Sequence, residues 1–257
     1  MVLSIRLISG RIGQVFTAFA AAVVLAGCAG SPGPGGINDP YEAQNRSIHE
    51  FNRGVDRTLV SPASKGYGSI VPQPIQRVVG NVAGTLDLPG DIANNLLQFN
   101  LGDAAQNTLR LATNLTMGVG GLFDASTALG LPGKPTDFGE TLHVWGVGEG
   151  VYQELPFIGP STARDTAGTV VDVALNPTRF LFSGRDAAGA TLAKLGSRLG
   201  DRNRFSDTVD SILYESADSY AQARLLYLQN RRFELGETVD PANDDSFIDP
   251  YEDPYAP

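Results

Sequence analysis

The chain is 257 residues long and 42% hydrophobic, with one cysteine, two histidines and a formal net charge of −9. That acidic balance argues against a nucleic-acid surface, which needs Lys and Arg clustered against phosphates, and against docking on anionic lipid by charge alone. A single cysteine excludes an intrachain disulfide, so burial and hydrogen bonds must hold the fold.

The N-terminus comes first. Arg6 and Arg11 precede an apolar run from Val15 to Ala26, which ends in Leu25-Ala26-Gly27-Cys28. A positive start, a short apolar stretch and small residues are the layout of a secretory signal. The run falls short of the ~20 residues that a spanning helix needs. The tetrapeptide resembles the lipobox of bacterial lipoproteins. The resemblance implies that 1–27 is a signal peptide and that Cys28 is the first mature residue, carrying covalent acyl chains. Ala29, where an aspartate would often retain a lipoprotein at the inner membrane, permits delivery to the outer membrane. Removing 1–27 takes away two arginines and no acid, leaving −11. Residues 29–38 are small and rich in Gly and Pro, and make a flexible tether.

A helical domain is expected over 39–233. Asp39 can cap a helix, with Pro40 at its first position and Glu42 as a capping-box acid. Tyr41, Ile48, Phe51, Val55 and Leu59 then share one helical face. Ser61-Pro62 marks a second start. Helices are expected over Ile75–Leu86 and Pro89–Phe99, and a stronger one from Asp103 to Met117. The cluster Gly118, Gly120, Gly121 follows, with Phe123 and Asp124. Residues 130–138 must be a loop. A short helix is expected over Gly139–Trp145, an extended piece over Val151–Leu155 and a turn at Gly159-Pro160-Ser161. Thr162–Leu175 is helical and ends before Pro177. Ala188, Leu192, Leu195 and Leu199 form a helical stripe, and the longest helix runs from Ser206 to Phe233. From Glu234 onward there are eight acids, four prolines and no Lys or Arg, which reads as an acidic disordered tail over 234–257. The fold class is mainly α, with little or no β-sheet, and no stretch after the signal is apolar enough to cross a bilayer.

Catalytic chemistry finds few residues to work with. A Ser-His-Asp hydrolase would have to use His49, expected on a polar helix face, or His143, expected to be partly buried. No Gly-x-Ser-x-Gly elbow is present. No histidine pair has metal-ligand spacing, and Asp244, Asp245 and Asp249 lack the glycine and glutamate of an EF-hand loop. The glycine strings at 118–121 and 146–150 fail as phosphate loops. No enzyme, metal or cofactor is expected.

Five blocks carry a resemblance. They are Asn38 to Arg46 with Glu50-Phe51-Asn52; Val71 to Pro74 with Asn81, Leu88-Pro89 and Asn94 to Gln98; Thr113 to Asp124; Asp137 to Leu142 with Trp145 to Gly148, Leu155 to Pro160 and Arg164-Asp165; and Asp207 to Arg232 with Tyr220, Arg224 and Tyr227. In this order they resemble the MlaA (VacJ) family of outer-membrane lipoproteins. Gln44 departs from the family, which usually has an aromatic there.

The resemblance implies a single ring-like helical domain seated in the periplasmic leaflet of the outer membrane. An amphipathic channel would take mislocalised phospholipids from the outer leaflet and pass them to a soluble periplasmic carrier, maintaining lipid asymmetry. The partners implied are membrane phospholipids, that carrier and a trimeric porin. The turn Gly118, Gly120, Gly121, Phe123 and Asp124 is then a mobile element near the channel, or its glycines merely close a turn. Two other roles stay open: a lipoprotein that scaffolds a porin without lipid transfer, and a lipid hydrolase using His49 or His143.

Overall fold

The computed structural model describes residues 37–175 and 182–237. Cys28, Pro177 and Asp244, Asp245 and Asp249 lie outside the described residues.

The first helical run joins α1 (Glu42–Val55), a π turn (Asp56–Val60) and α2 (Ser61–Ile70) without leaving helical backbone. Ser61-Pro62 therefore starts no separate helix. Pro62 lacks the N–H that would bond one turn back, and the wide turn just before it is where that register is given up. Asp39 is not the N-cap either. Tyr41 occupies that position with no side-chain cap, and the Asp39 carboxylate instead accepts from Asn45, Tyr220 and Arg224. Ile37 and Asn38, expected in the tether, are already part of the fold. Ile37 packs on the core, and the Asn38 carbonyl accepts from Tyr152 N at 2.7 Å.

The two helices expected over 75–99 are one, α3 (Gln73–Leu97), which carries Pro89 in its interior. Next comes α4 (Leu101–Thr116), capped by Asn100, whose side chain accepts from the Asp103 amide. The short α5 (Ala125–Ala128) and α6 (Phe138–Val144) are capped by Asp124 and Asp137. β1 (Tyr152–Leu155) pairs antiparallel with β2 (Gly159–Thr162), Tyr152 opposite Thr162. Gly159-Pro160-Ser161 is thus strand, and the turn sits at 156–158. There follow α7 (Ala163–Leu175), α8 (Arg185–Arg204) and α9 (Ser206–Asp210) with a π turn (Ser211–Glu215). The last helix, α10 (Ser219–Glu234), is separate, because Asp218 caps a fresh start through Ala221 N. The single helix expected over 206–233 is therefore split.

Contacts between elements close a circuit. α1 packs on β1, β2 on α7, α7 on α6, α6 on α3, α3 on α8, and α8 on α2, which returns to α1 through the π turn; α10 braces β2 from its own side. The fold is a helical ring with a two-stranded hairpin in its rim.

The burial pattern is inverted. Among the described residues eight apolar side chains are buried, against nineteen polar or charged ones. The apolar core is the small cluster of Tyr152, Tyr220 and Leu228. α1 buries Asn45 and His49 and turns Tyr41 and Phe51 outward. α4 buries Asn107, Arg110 and Asn114, at helical spacing, and exposes Leu101, Leu109 and Leu115. The α8 stripe at Leu192 and Leu195 also faces out. Polar interiors are stable only when their groups are hydrogen-bonded, and networks within the ring do most of that bonding.

Candidate functional site

Two cavities flank α3. One, of about 410 Å³, is lined by Asp91, Asn94, Leu97, Thr136, Phe138 and Asp172, with Asp137 and Arg198. The other, of about 450 Å³, is lined by Asn81, Thr85, Arg110, Asn114, Asp124 and Lys134. Asp87 and Asp91 line both. They are four residues apart on one helix, so they share a face. The α3 face between the two cavities therefore carries two carboxylates, set among apolar side chains such as Leu86, Leu88, Leu97 and Phe138.

α4 supplies the second cavity's far side through its polar stripe. Arg110 donates to Leu131 O, to Thr127 Oγ1 at 3.2 Å and to Asp124 at 3.4 Å. The Asn114 side-chain oxygen accepts from Ser126 N and Oγ at 3.1 and 2.9 Å. Asn107 donates to Lys134 O and accepts from Lys134 N, fastening the 131–137 loop to the helix. Burial alone would raise the Asp124 carboxyl, but bonds from Thr127 and Ser126 and the charge of Arg110 hold it down at about 2. Asp91 is the opposite case. Burial, with Asp87, Asp172 and Asp137 nearby, pushes it up to about 7 against one backbone bond from Thr136.

The glycine turn divides by role. Gly118 has no room for a side chain, since a Cβ would lie 2.3 Å from Phe123 O. Gly121 (φ 90°) would press Thr85 at 2.9 Å, while Gly120 (φ 72°) has open space. Asp124 lines the cavity, and Phe123 points to the exposed apolar surface. Gly118 and Gly121 thus serve close packing, and only Gly120 has space around it.

His49 corrects an expectation. It is not on a solvated face but 3% exposed, with Nδ1 3.3 Å from Glu154 and Nε2 3.0 Å from Ser219 Oγ. Tyr152 OH donates to the other Glu154 oxygen at 2.7 Å. The row Ser219–His49–Glu154 has the order of a hydrolytic triad. Yet Ser219 is 6% exposed and does not line the cavity that His49 and Glu154 share. The row ties α1, β1 and α10 together. His143 is half-buried, as expected, beside Glu237 at 3.3 Å and Arg164 at 3.4 Å. A second tie joins α10 to the rim. Arg231 donates to Asp137 and Asp165, and Tyr227 OH to Asp165. Among the described residues no group of three acids, histidines or cysteines could hold a metal, and no helix is long and apolar enough to cross a membrane.

Asp87, Asp91, Arg110, Lys134 and Asp172 were not singled out from sequence. The signal was there in the four-residue step from Asp87 to Asp91 and in the Asn107–Arg110–Asn114 spacing.

Residues 37–234 match the family model described as MlaA lipoprotein. The chain belongs to the MlaA lipoprotein family. A Haemophilus influenzae relative named intermembrane phospholipid transport system lipoprotein MlaA is 32% identical over 230 residues, 87% of this chain and 90% of its own. The protein of that name from Escherichia coli is 32% identical over 216 residues, 82% of this chain and 84% of its own. An uncharacterized Rickettsia bellii protein is 34% identical over 76% of each chain. A solved structure from work on the structural basis for maintenance of bacterial outer membrane lipid asymmetry superposes with a TM-score of 0.65 at 30% identity, covering 77% of this chain and 98% of its own.

Proposed function

We propose that this chain is an outer-membrane lipoprotein that removes mislocalised phospholipids from the outer leaflet and passes them to a soluble periplasmic carrier, so maintaining lipid asymmetry. The observation that carries the reading is the inverted ring: charged cavities inside, large apolar side chains outside. A phospholipid brings a charged head and apolar tails. Burying the head unpaired costs several kcal/mol, and the Asp87, Asp91, Arg110 and Lys134 wall offers it partners. The apolar exterior suits a ring held in the periplasmic leaflet, with acyl chains on Cys28 as its delivery anchor. A trimeric porin is the neighbour we assign to that exterior. The turn at Gly120 and Asp124 is the element we assign to gating, since Gly120 has space around it and Asp124 stands on the cavity wall.

The test is reconstitution. The full lipidated chain in vesicles with labelled phospholipid is expected to load a purified periplasmic carrier, and a strain lacking it to accumulate phospholipid in the outer leaflet. Porin co-purification without transfer would instead leave a scaffold. Release of lysophospholipid, lost in His49→Ala, would make it a hydrolase.

A further inference from the structure

The wall between the two cavities has a charge pattern that no contact among the described residues completes. Asp87 is paired, accepting from Lys194 Nζ at 2.6 Å. Asp91 has no such partner among the described residues: its carboxylate accepts from Thr136 N at 3.4 Å, and Asp87, Asp137 and Asp172 line the same cavity. Among the described residues Asp172 accepts neutral N–H groups alone, from Asn94 and Phe138 at 3.0 Å each. The same wall continues into a cavity lined by Arg110, which is nine-tenths buried and has an Nε without a partner. Lys134 lines it too, its Nζ a loose 3.7 Å from Asp103. A carboxylate without a cationic partner among the described residues thus stands in one cavity with Arg110, which is held by a long 3.4 Å pairing to Asp124, and with Lys134.

The chemistry that satisfies both is a cation and an anion on one short group. A divalent metal does not fit, because no set of three ligands converges among the described residues. A phosphodiester bearing a primary ammonium fits. Its N–H groups donate to carboxylates, and its phosphate oxygens accept from guanidinium and ammonium donors. We propose that the passage selects phospholipids with a primary-ammonium head group, Asp91 and Asp87 receiving the ammonium and Arg110 and Lys134 the phosphate. The proposal rests on the transport reading and names its substrate class. An uncharged glycerol head group leaves Asp91 without its cation. A quaternary ammonium supplies charge but no N–H to donate, so both bind less well.

The test uses the full chain, detergent-extracted and incubated with vesicles holding equal parts of phosphatidylethanolamine, phosphatidylglycerol and phosphatidylcholine with matched acyl chains. Bound lipid is then quantified by mass spectrometry. The ethanolamine lipid is expected to be enriched about tenfold, the effect of one charge-assisted hydrogen bond, and Asp91→Asn to bring its share down toward that of the mixture. Lipid bound in the proportions of the vesicles would overturn the proposal and leave the transport reading standing. No bound lipid at all would overturn both. Enrichment that persists in Asp91→Asn and in Asp87→Asn/Asp91→Asn would overturn the assignment to these carboxylates. Displacement of bound lipid by excess water-soluble glycerophosphoethanolamine would make the free head group, not the lipid, the ligand.

Discussion

At Asp91 the demands of the site oppose those of the fold. Its carboxyl is raised to about 7 by burial first and by Asp87, Asp172 and Asp137 next. The other charged groups lining these cavities are Arg198, Arg110, Lys134 and Asp124. A folded-state pKa above the unfolded value of ~4 means the folded protein holds the proton longer. The residue's contribution to stability is therefore greatest at low pH and declines as pH rises from about 4 to about 7. Asn at this position mimics the protonated form and removes the decline. Asp91→Asn is expected to be close to neutral at about pH 3.5, below the unfolded pKa, and to stabilise the ligand-free protein at pH 8 by about 1–3 kcal/mol, after discounting for partial exposure. Thermal melts of both proteins at the two pH values check this. An equal shift at both would show that Asp91 is not the group that titrates. Such a carboxylate is costly to keep in an empty ring, which is the expected mark of a binding group. His49 shows the converse: it is buried and bonded on both nitrogens, and every contact it makes joins two elements of the fold.

Among the elements, the α6–α7 contact is set by absent side chains. A Cβ on Gly168 would stand 2.3 Å from Gly139 N and 2.7 Å from its Cα, which is backbone that has nowhere to move. Beside this contact Asp137 and Asp165 hold Arg231, so pushing α6 away also loosens the tie to α10. Gly168→Ala is expected to lower the melting temperature by roughly 5–10 °C, the effect of an overpacked core in a domain this size. Gly189→Ala, where nothing lies within 4 Å inside α8, is expected to raise it slightly through helix propensity. Denaturation of the two variants side by side decides the matter, since propensity alone would move both upward. Much at this scale was legible in the sequence. The glycines and prolines of 130–138 announce the loop, and the short helix expected over Gly139–Trp145 is α6, its Asp137 cap going unread. The misses have a common cause. Pro62 and Pro89 read locally as breaks, yet the chain continues because neighbouring helices hold both sides. Asp39 reads as a cap, yet Asn45, Tyr220 and Arg224, the last two far along the chain, claim its oxygens. The cavity wall was harder still. Polar residues at helical spacing normally mark the face toward water, so Asn107, Arg110 and Asn114 point the wrong way until the solvent outside the ring is taken to be lipid.

For the whole molecule, the decisive fact is where its largest apolar side chains stand. Phe99 is 86% exposed and Phe157 76% exposed, and both hold positive φ, at 58° and 64°. That backbone region costs a bulky residue of order 1–3 kcal/mol. Within the chain Phe157 is held by an edge-to-face contact with Phe51 and a bond from its N–H to Asn52 Oδ1 at 2.8 Å. In a bilayer each buried phenyl ring contributes about 1.5–3 kcal/mol, enough to hold the strained turn. On the function proposed above, the ring's own surface, rather than an anchor on Cys28, would set how deeply it sits. This separates two contributions that a lipidated protein would confuse. A Cys28→Ala chain exported on a cleavable soluble signal is expected to bind phospholipid vesicles still, because the apolar exterior remains. Phe99→Asp or Phe157→Asp in that background removes one such ring and adds a charge that lipid excludes, and each is expected to weaken partitioning at least tenfold. Flotation with the vesicles measures it. Unchanged flotation in both variants would place these turns in water and reverse the orientation argued for the ring. A Cys28→Ala chain that never floats would assign all membrane affinity to the acyl chains, and the inverted exterior would need a protein, not a lipid, against it.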